Sequence, residues 1–254
     1  MDGGQRPRCN GDAPTLLRPR RQEAARVMIQ AQRPSARSAM HYRHLEIGAE
    51  MVEHEGWTLP ARYTDAEEEA ARVRESVGIT DISHIGKIRL QGESVDQALR
   101  EALPEYQAMS VGSVSISGDT VVARLASDDC LILTGQATAN HVLDSLKLDG
   151  SAHPVNVISV LAAVRIIGPN ISQVLTGVSD LDLAPLYFPN LSCAQGMVAE
   201  IHGTIIRRDI GGLPVYDLLF GRDYGDHMWE SLMDAGERHG LTPIGLEAMS
   251  LLRP

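Results

Sequence analysis

Two successive runs of short strands, each closed by a helix, constrain this fold more than any other feature of the sequence. In the first run, residues 86–91 alternate as a strand and 94–103 follow as an amphipathic helix. Residues 111–116, 120–125 and 130–134 then read as strands turned by "SGD" and "SDD", and 137–148 as a helix. The pattern restarts with strands over 155–158 and 162–167, a break at Gly168-Pro169 and a short helix over 170–175. Strands over 197–201, 204–208 and 213–220 follow, and 224–239 closes the run as a long helix stopped by Gly240 and Pro243. Ahead of both runs, "DAEEEAARVRESV" (65–77) is a helix with an Asp cap, acids in its first turn and arginines later, the order that suits the helix dipole. Antiparallel strands mixed with a few helices predict an α+β fold of two lobes, 40–150 and 151–254, rather than a doubly wound sheet.

Aromatic residues make up only 4% of the 254-residue chain, so its core must be built from Val, Leu, Ile and Ala. Mean hydropathy is −0.11 and no apolar run approaches the roughly 18 residues of a membrane span, which excludes a membrane-embedded reading. Cys9, Cys130 and Cys193 are odd in number and lack C-x-x-C spacing, pointing to a reducing, cytoplasmic location. The net charge of −10 is uneven: residues 1–39 hold eight arginines and three acids, for +5, leaving −15 on the remainder. So acidic a body argues against a nucleic-acid partner. The basic segment 1–39, Pro- and Arg-rich without a secretory apolar core, is expected to be a disordered tail or translation upstream of a start at Met40.

Nucleotide-binding motifs are absent, with no G-x-x-x-x-G-K-[ST] loop and no G-x-G-x-x-G after a strand, and there is no G-x-S-x-G nucleophile elbow. His41 and His44 form the close pair among nine histidines, but no third ligand stands nearby. No metal site is assigned, and the pair is expected on a solvated segment. In "GITDISHIGKIRL", Asp81, Ser83 and His84 lie within four residues. On a strand Asp81 and Ser83 share one face while His84 points to the other, so they do not form a nucleophile relay.

An ordered train of landmarks begins at Gly48: Met51, Gly56-Trp57, Pro60, Tyr63, a Glu-rich helix, Arg74, Gly78, "DISH" and Gly86-Lys87. It resembles the amino-terminal region of the glycine-cleavage T-protein (aminomethyltransferase) superfamily, which also holds folate-dependent demethylases and parts of sarcosine- and dimethylglycine-oxidising enzymes. "YGDHMWESLMDAGERHGLTPIGLEAMSLLRP" is similar to that family's second anchor, a helix followed by G-L-x-P-x-G. The resemblance implies two interlocked antiparallel-sheet lobes with helices, ferredoxin-like, around a cavity for tetrahydrofolate, pterin inward and glutamate tail outward. It implies that His84, Ile85, Tyr216 and Arg253 contact the cofactor.

Three departures bear on activity. The family's N-x-D-G-G-x-I-D-D segment, which carries an acid near the folate nitrogens, is shortened here to "VGSVSISGDTVVARLASDDCLIL", leaving Asp119 in a tight turn. Where the family resembles G-Y-T-G-E-x-G-[FY]-E-[IV]-Y, this chain reads "RRDIGGLPVYDLLFG"; Pro214 takes the glutamate's place, and Asp209 and Asp217 are candidates to replace it. Met249 stands for the first arginine of G-x-x-A-R-D-x-L-R, and the sequence ends at Pro254, where the T-protein continues into a barrel. The catalytic candidates are thus Asp119, Asp209 and Asp217. The leading reading is a tetrahydrofolate-binding, degenerate or accessory member of one-carbon metabolism serving a separate oxidase, methyltransferase or carrier subunit. Two others stand beside it: an active folate-dependent aminomethyltransferase or demethylase with a relocated acid, and an interaction scaffold that binds no folate.

Overall fold

Residues just ahead of Met40 already belong to the folded body. In the computed structural model, which describes Met1 and residues 35–146 and 152–252, Ser35–Pro254 forms one compact unit. Its first strand, β1 (Ala36–Arg37), pairs in parallel with Trp57 and Thr58, and the Arg37 carbonyl accepts a bond from Arg222. The fold therefore starts before the boundary expected at residue 39, because this segment supplies an edge strand. Residues 2–34, the bulk of the expected tail, lie outside the described residues.

Helix α1 (His41–Glu46) leads into the hairpin β2 (Glu50–His54) and β3 (Trp57–Arg62). Helix α2 (Ala66–Glu75) starts where its composition says it should: the Asp65 carboxylate accepts from the amides of Glu67 and Glu68. Then come β4 (Val77–Asp81), β5 (Gly86–Gly92), α3 (Val95–Ala102), β6 (Val114–Ser117), β7 (Thr120–Ala126), β8 (Asp129–Thr134) and α4 (Gln136–Ser145). The chain continues through β9 (Ala152–Asn156), β10 (Leu161–Ile167), α5 (Ile171–Thr176), β11 (Ser192–Val198) and β12 (Ile201–Arg207). It finishes with β13 (Val215–Gly221), α6 (Gly225–Gly236), β14 (Leu241–Pro243) and α7 (Leu246–Leu251).

A small sheet has the order β1-β3-β2; a six-stranded sheet runs β11-β12-β13-β10-β4-β14; a five-stranded sheet runs β6-β7-β8-β5-β9. The lobes interlock: β4 leaves the first half of the chain to pair with β10, while β9, beyond residue 150, closes the edge of the first sheet beside β5. A division at residue 150 therefore cuts the five-stranded sheet. Pro154 is tolerated in β9 because that strand is an edge.

The two large sheets meet face to face through Val121, Ala123, Leu131 and Leu133 on one side and Ala163, Ile206 and Leu219 on the other. Their outer faces carry the helices: Trp229 and Leu232 of α6 pack on Val164, Ile166 and Phe220, and Leu99 of α3 packs on Ile88 and Ile132. Strand alternation assigns these faces. In β10, Val164 and Ile166 point to the helices, which turns Ala163 and Arg165 toward the opposing sheet.

Candidate functional site

Arg165 interrupts the apolar run of β10, and Asp217 interrupts that of β13; the strand register makes them direct partners. Arg165 Nε donates to Asp217 Oδ1 at 2.6 Å and Nη2 to Oδ2 at 2.8 Å, a bidentate pair buried between the sheets. Arg208, just past β12, brings its Nε to 3.7 Å from Asp217 Oδ2. Burial pushes the Asp217 carboxyl upward, but Arg165 and then Arg208 outweigh it and hold the group below the usual carboxylate range. Asp217 is thus ionised at neutral pH.

This pair lies on the wall of a cavity of about 570 Å³, within the size range of small-molecule sites. Val121, Leu133, Thr134 and Gly135 form the wall from the five-stranded sheet, with Asp119 contributed by the β6–β7 turn. His84 and Ile85 come from the β4–β5 connection, and His54 and Glu55 from the tip of the β2–β3 hairpin. At that tip Glu55 has φ 49° and Gly56 φ 78°, so both residues adopt the left-handed conformation a two-residue hairpin turn requires.

The β4–β5 connection is held from behind. Asp81 Oδ1 accepts the Ser83 amide at 2.8 Å, and its Oδ2 is 3.1 Å from His44 Nε2, whose Nδ1 is 2.8 Å from the Tyr63 hydroxyl. The Ser83 hydroxyl accepts from the Ala163 amide at 3.2 Å. Lys87 Nζ donates to the carbonyls of Ser83 and Ile85 at 2.8 and 3.1 Å. Asp81 and Ser83 are therefore occupied in fixing the turn, and no acid–hydroxyl–imidazole relay forms. His84 is 7% exposed, and its Nδ1 is buried without a hydrogen-bond partner. Burial, then the neighbouring His54, lower its pKa to about 4, so the ring is neutral at physiological pH. The His54 and His84 rings meet edge to face at 5.2 Å.

Of the residues singled out in the sequence, the structure gathers Asp119, Asp217, His84 and Ile85 on this cavity. Tyr216 is not there. It alternates with Asp217 along β13 and so turns to the helix-covered face, stacked on Phe188 with its hydroxyl donating to the Leu183 carbonyl. Asp209 is bound by Arg207 Nε at 3.0 Å and is absent from the cavity wall. Pro214 precedes β13, so Asp217 is the β13 acid that faces the cavity. Met249 packs in the apolar cluster of α2 and α7, and Arg253 lies outside the described residues. His41 and His44 are buried, not solvated, since α1 packs His44 against Trp229.

Sequence reasoning missed Arg165, Arg208, His54 and Glu55. Arg165 carried a signal, a lone charge in "LAAVRII" that could only be buried with a partner such as the lone acid in "VYDLLFG". Among the described residues His54, Glu55 and His84 form one group able to hold a metal, their ligand atoms all within 4.8 Å of one another.

An α+β protein with a polar cavity walled by two facing sheets is the class that fold and site define. The chain belongs to the GCVT N-terminal domain family, which it matches over residues 40–254. It is 29% identical over 224 residues to the aminomethyltransferase of Halothermothrix orenii, an overlap of 83% of this chain and 62% of that protein. Its fold resembles the glycine cleavage system aminomethyltransferase T of Bartonella henselae, with TM-score 0.73 and 19% identity over 85% of this chain and 61% of the other. It also resembles heterotetrameric sarcosine oxidase from Corynebacterium sp. U-96, with TM-score 0.57 and 19% identity over 69% of this chain and 92% of the other. The chain spans less than two thirds of the length of the aminomethyltransferases it matches. Among the described residues no helix is long and apolar enough to cross a membrane.

Proposed function

We propose that the cavity binds tetrahydrofolate and that the chain is a folate-holding, T-protein-like component of cytoplasmic one-carbon metabolism. In this reading it serves a separate oxidase, methyltransferase or carrier subunit and does not carry out the transfer alone. The observation that carries the reading is the Arg165–Asp217 pair on the cavity wall. A pterin presents an amino group and a ring N–H beside a carbonyl, the complement of a carboxylate next to a guanidinium. Asp217 keeps lone pairs beyond the two that Arg165 occupies, and His84 has a buried nitrogen with no other partner. The residues present therefore fit the group. Bound there, the folate would supply the nitrogens that take up a one-carbon unit, while Asp217, Arg165 and His84 bind and orient its ring.

The accessory role is supported by where the acids go. Asp217 is matched by Arg165 and Asp209 by Arg207, so neither is free to exchange a proton at a reacting centre. One observation favours an active aminomethyltransferase or demethylase instead: Asp119 reaches the cavity wall with no hydrogen-bond or ion-pair partner among the described residues. A free carboxylate so placed can act as a general acid or base.

Anaerobic calorimetric titration with (6S)-tetrahydrofolate tests the binding, with micromolar affinity, about −8 kcal/mol, the expected result. No heat and no thermal shift at millimolar ligand would remove both folate readings and leave an interaction scaffold. Turnover of a methyl or aminomethyl donor that Asp119→Asn abolishes would replace the accessory role by the active one.

A further inference from the structure

His54, Glu55 and His84 come from two separate connections, the tip of the β2–β3 hairpin and the entry to β5, and converge on one side of the cavity. Two imidazoles and a carboxylate are a ligand set that suits zinc and its first-row neighbours, and is poorly matched to calcium or magnesium, which favour all-oxygen shells. A group of this kind on a surface is common and usually means nothing. What separates this one is His84, which is more than nine-tenths buried. No hydrogen bond engages either of its ring nitrogens among the described residues, and Nδ1 is sealed from solvent. A buried imidazole left so is unfavourable unless something else takes its lone pair.

We propose that His54, Glu55 and His84 form a site for a zinc-class divalent cation on the cavity wall, with its remaining coordination positions open to the cavity. The inference does not require folate to bind, although both readings draw on the His84 imidazole.

The spacing suits a site that closes on its ion. Around a tetrahedral zinc with bonds of about 2.0–2.1 Å, neighbouring donor atoms lie roughly 3.3 Å apart. The three donors here lie within 4.8 Å of one another, so a shift of up to about 1.5 Å toward His84 brings them to bonding separation. His54 and Glu55 supply it, because both are exposed at a hairpin tip, whereas His84 is fixed by its packing. Three protein ligands with a position left open is the arrangement of zinc sites that take up water or a substrate oxygen rather than purely structural ones. The cation class follows from the donors, and the ligand class, an oxygen of water or of an anionic group, follows from the open position.

The test uses the full chain, stripped with a chelator and titrated with Zn²⁺ by calorimetry and with Co²⁺ by absorption spectroscopy. The expected result is one ion per chain and visible Co²⁺ bands of a four- or five-coordinate site. His54→Ala and Glu55→Gln alter exposed side chains that leave the core intact, and each should weaken binding at least about tenfold. His84→Asn should abolish the Co²⁺ bands. Affinity unchanged in His54→Ala and Glu55→Gln would place any bound metal elsewhere, for example on the cysteines, and overturn the proposal. So would the absence of binding at hundredfold molar excess of metal over the folded wild-type chain.

Discussion

Lys87 is 0% exposed, its ammonium donating to two backbone carbonyls and, among the described residues, paired with no carboxylate. Burial pushes its pKa from 10.5 down to about 7, against a partial rescue by the charge of Asp81. The sign of the consequence is fixed by linkage. Between those two values the unfolded chain holds a proton on Lys87 that the native protein has released, so stability rises with pH. The slope approaches about 1.4 kcal/mol per pH unit, and below pH 7 the full penalty is on the order of 5 kcal/mol.

Other groups limit the range in which this shows. The His84 imidazole, with its pKa near 4, contributes its own rise at lower pH, complete by about pH 7. Above about pH 8.5 the buried thiols act the other way. Burial raises Cys130 and pushes Cys193 to about 12, so the native protein keeps protons that the unfolded chain loses. Between about pH 7 and 8.5 Lys87 dominates, and the expected gain is about 2 kcal/mol. Urea denaturation midpoints across that range should rise by about 1 M for a protein of this size. Lys87→Met, unbranched and of similar length, should flatten the profile. The variant also leaves the Ser83 and Ile85 carbonyls without their donor, at about 1–3 kcal/mol each, but that offset does not depend on pH and cancels in the slope. Parallel profiles for the two proteins would refute the reasoning, since the lysine would then have kept an ordinary pKa inside the fold.

Two further outcomes follow from the same structure. Asp217→Ala should destabilise by about 3–5 kcal/mol in chemical denaturation, because it strands the Arg165 guanidinium between the sheets, and the double variant with Arg165→Met should recover most of that loss. Gly168→Ala should lower stability by roughly 3 kcal/mol or more in thermal unfolding: φ is 135°, and an added Cβ would stand 2.4 Å from the Ser76 carbonyl oxygen, a backbone atom that cannot move aside.

Local chemistry made much of the fold readable. Asp65 caps α2 as its sequence predicts, and β5, β7 and β8 fall close to their expected ranges because each alternates and ends in a turn. Strand β4 received no range of its own for a physical reason: all five residues of "VGITD" are buried, so no polar face marks the period of two. The β11–β12 turn was expected at the glycine after His202, yet the chain turns at Ala199 and Glu200, at φ 47° and 64°. A left-handed turn without glycine or asparagine carries no compositional mark. The site divides in the same way. Asp119, Asp217, His84 and Ile85 were nameable from short segments. Arg208, His54 and Glu55 join them only because the hairpin and the end of β12 fold over the cavity, which no local pattern encodes.

The cavity itself is a consequence of charge placement. Where the sheets face each other through Ala163 and Leu219 they close on Ala123 and Leu131, an apolar interface that burial stabilises. One step along both strands' inward faces stand Arg165 and Asp217, whose pairing satisfies each other but gives the opposing sheet nothing apolar to meet. Buried pairs of this kind rarely stabilise a fold beyond what apolar residues of the same volume would contribute. The connection carrying His84 is likewise held by a buried lysine and a buried aspartate, while the imidazole itself is left with an open nitrogen. Buried charges and unpartnered polar atoms occur elsewhere too, the Arg124–Asp96 pair and the Thr242 hydroxyl among them, but on this wall a buried ion pair and an open imidazole stand together. A fold that needed only to be stable would close the sheets there with valine and leucine. A buried ion pair beside an imidazole with no hydrogen-bond partner among the described residues makes a wall that a polar ligand would satisfy and an apolar one would not.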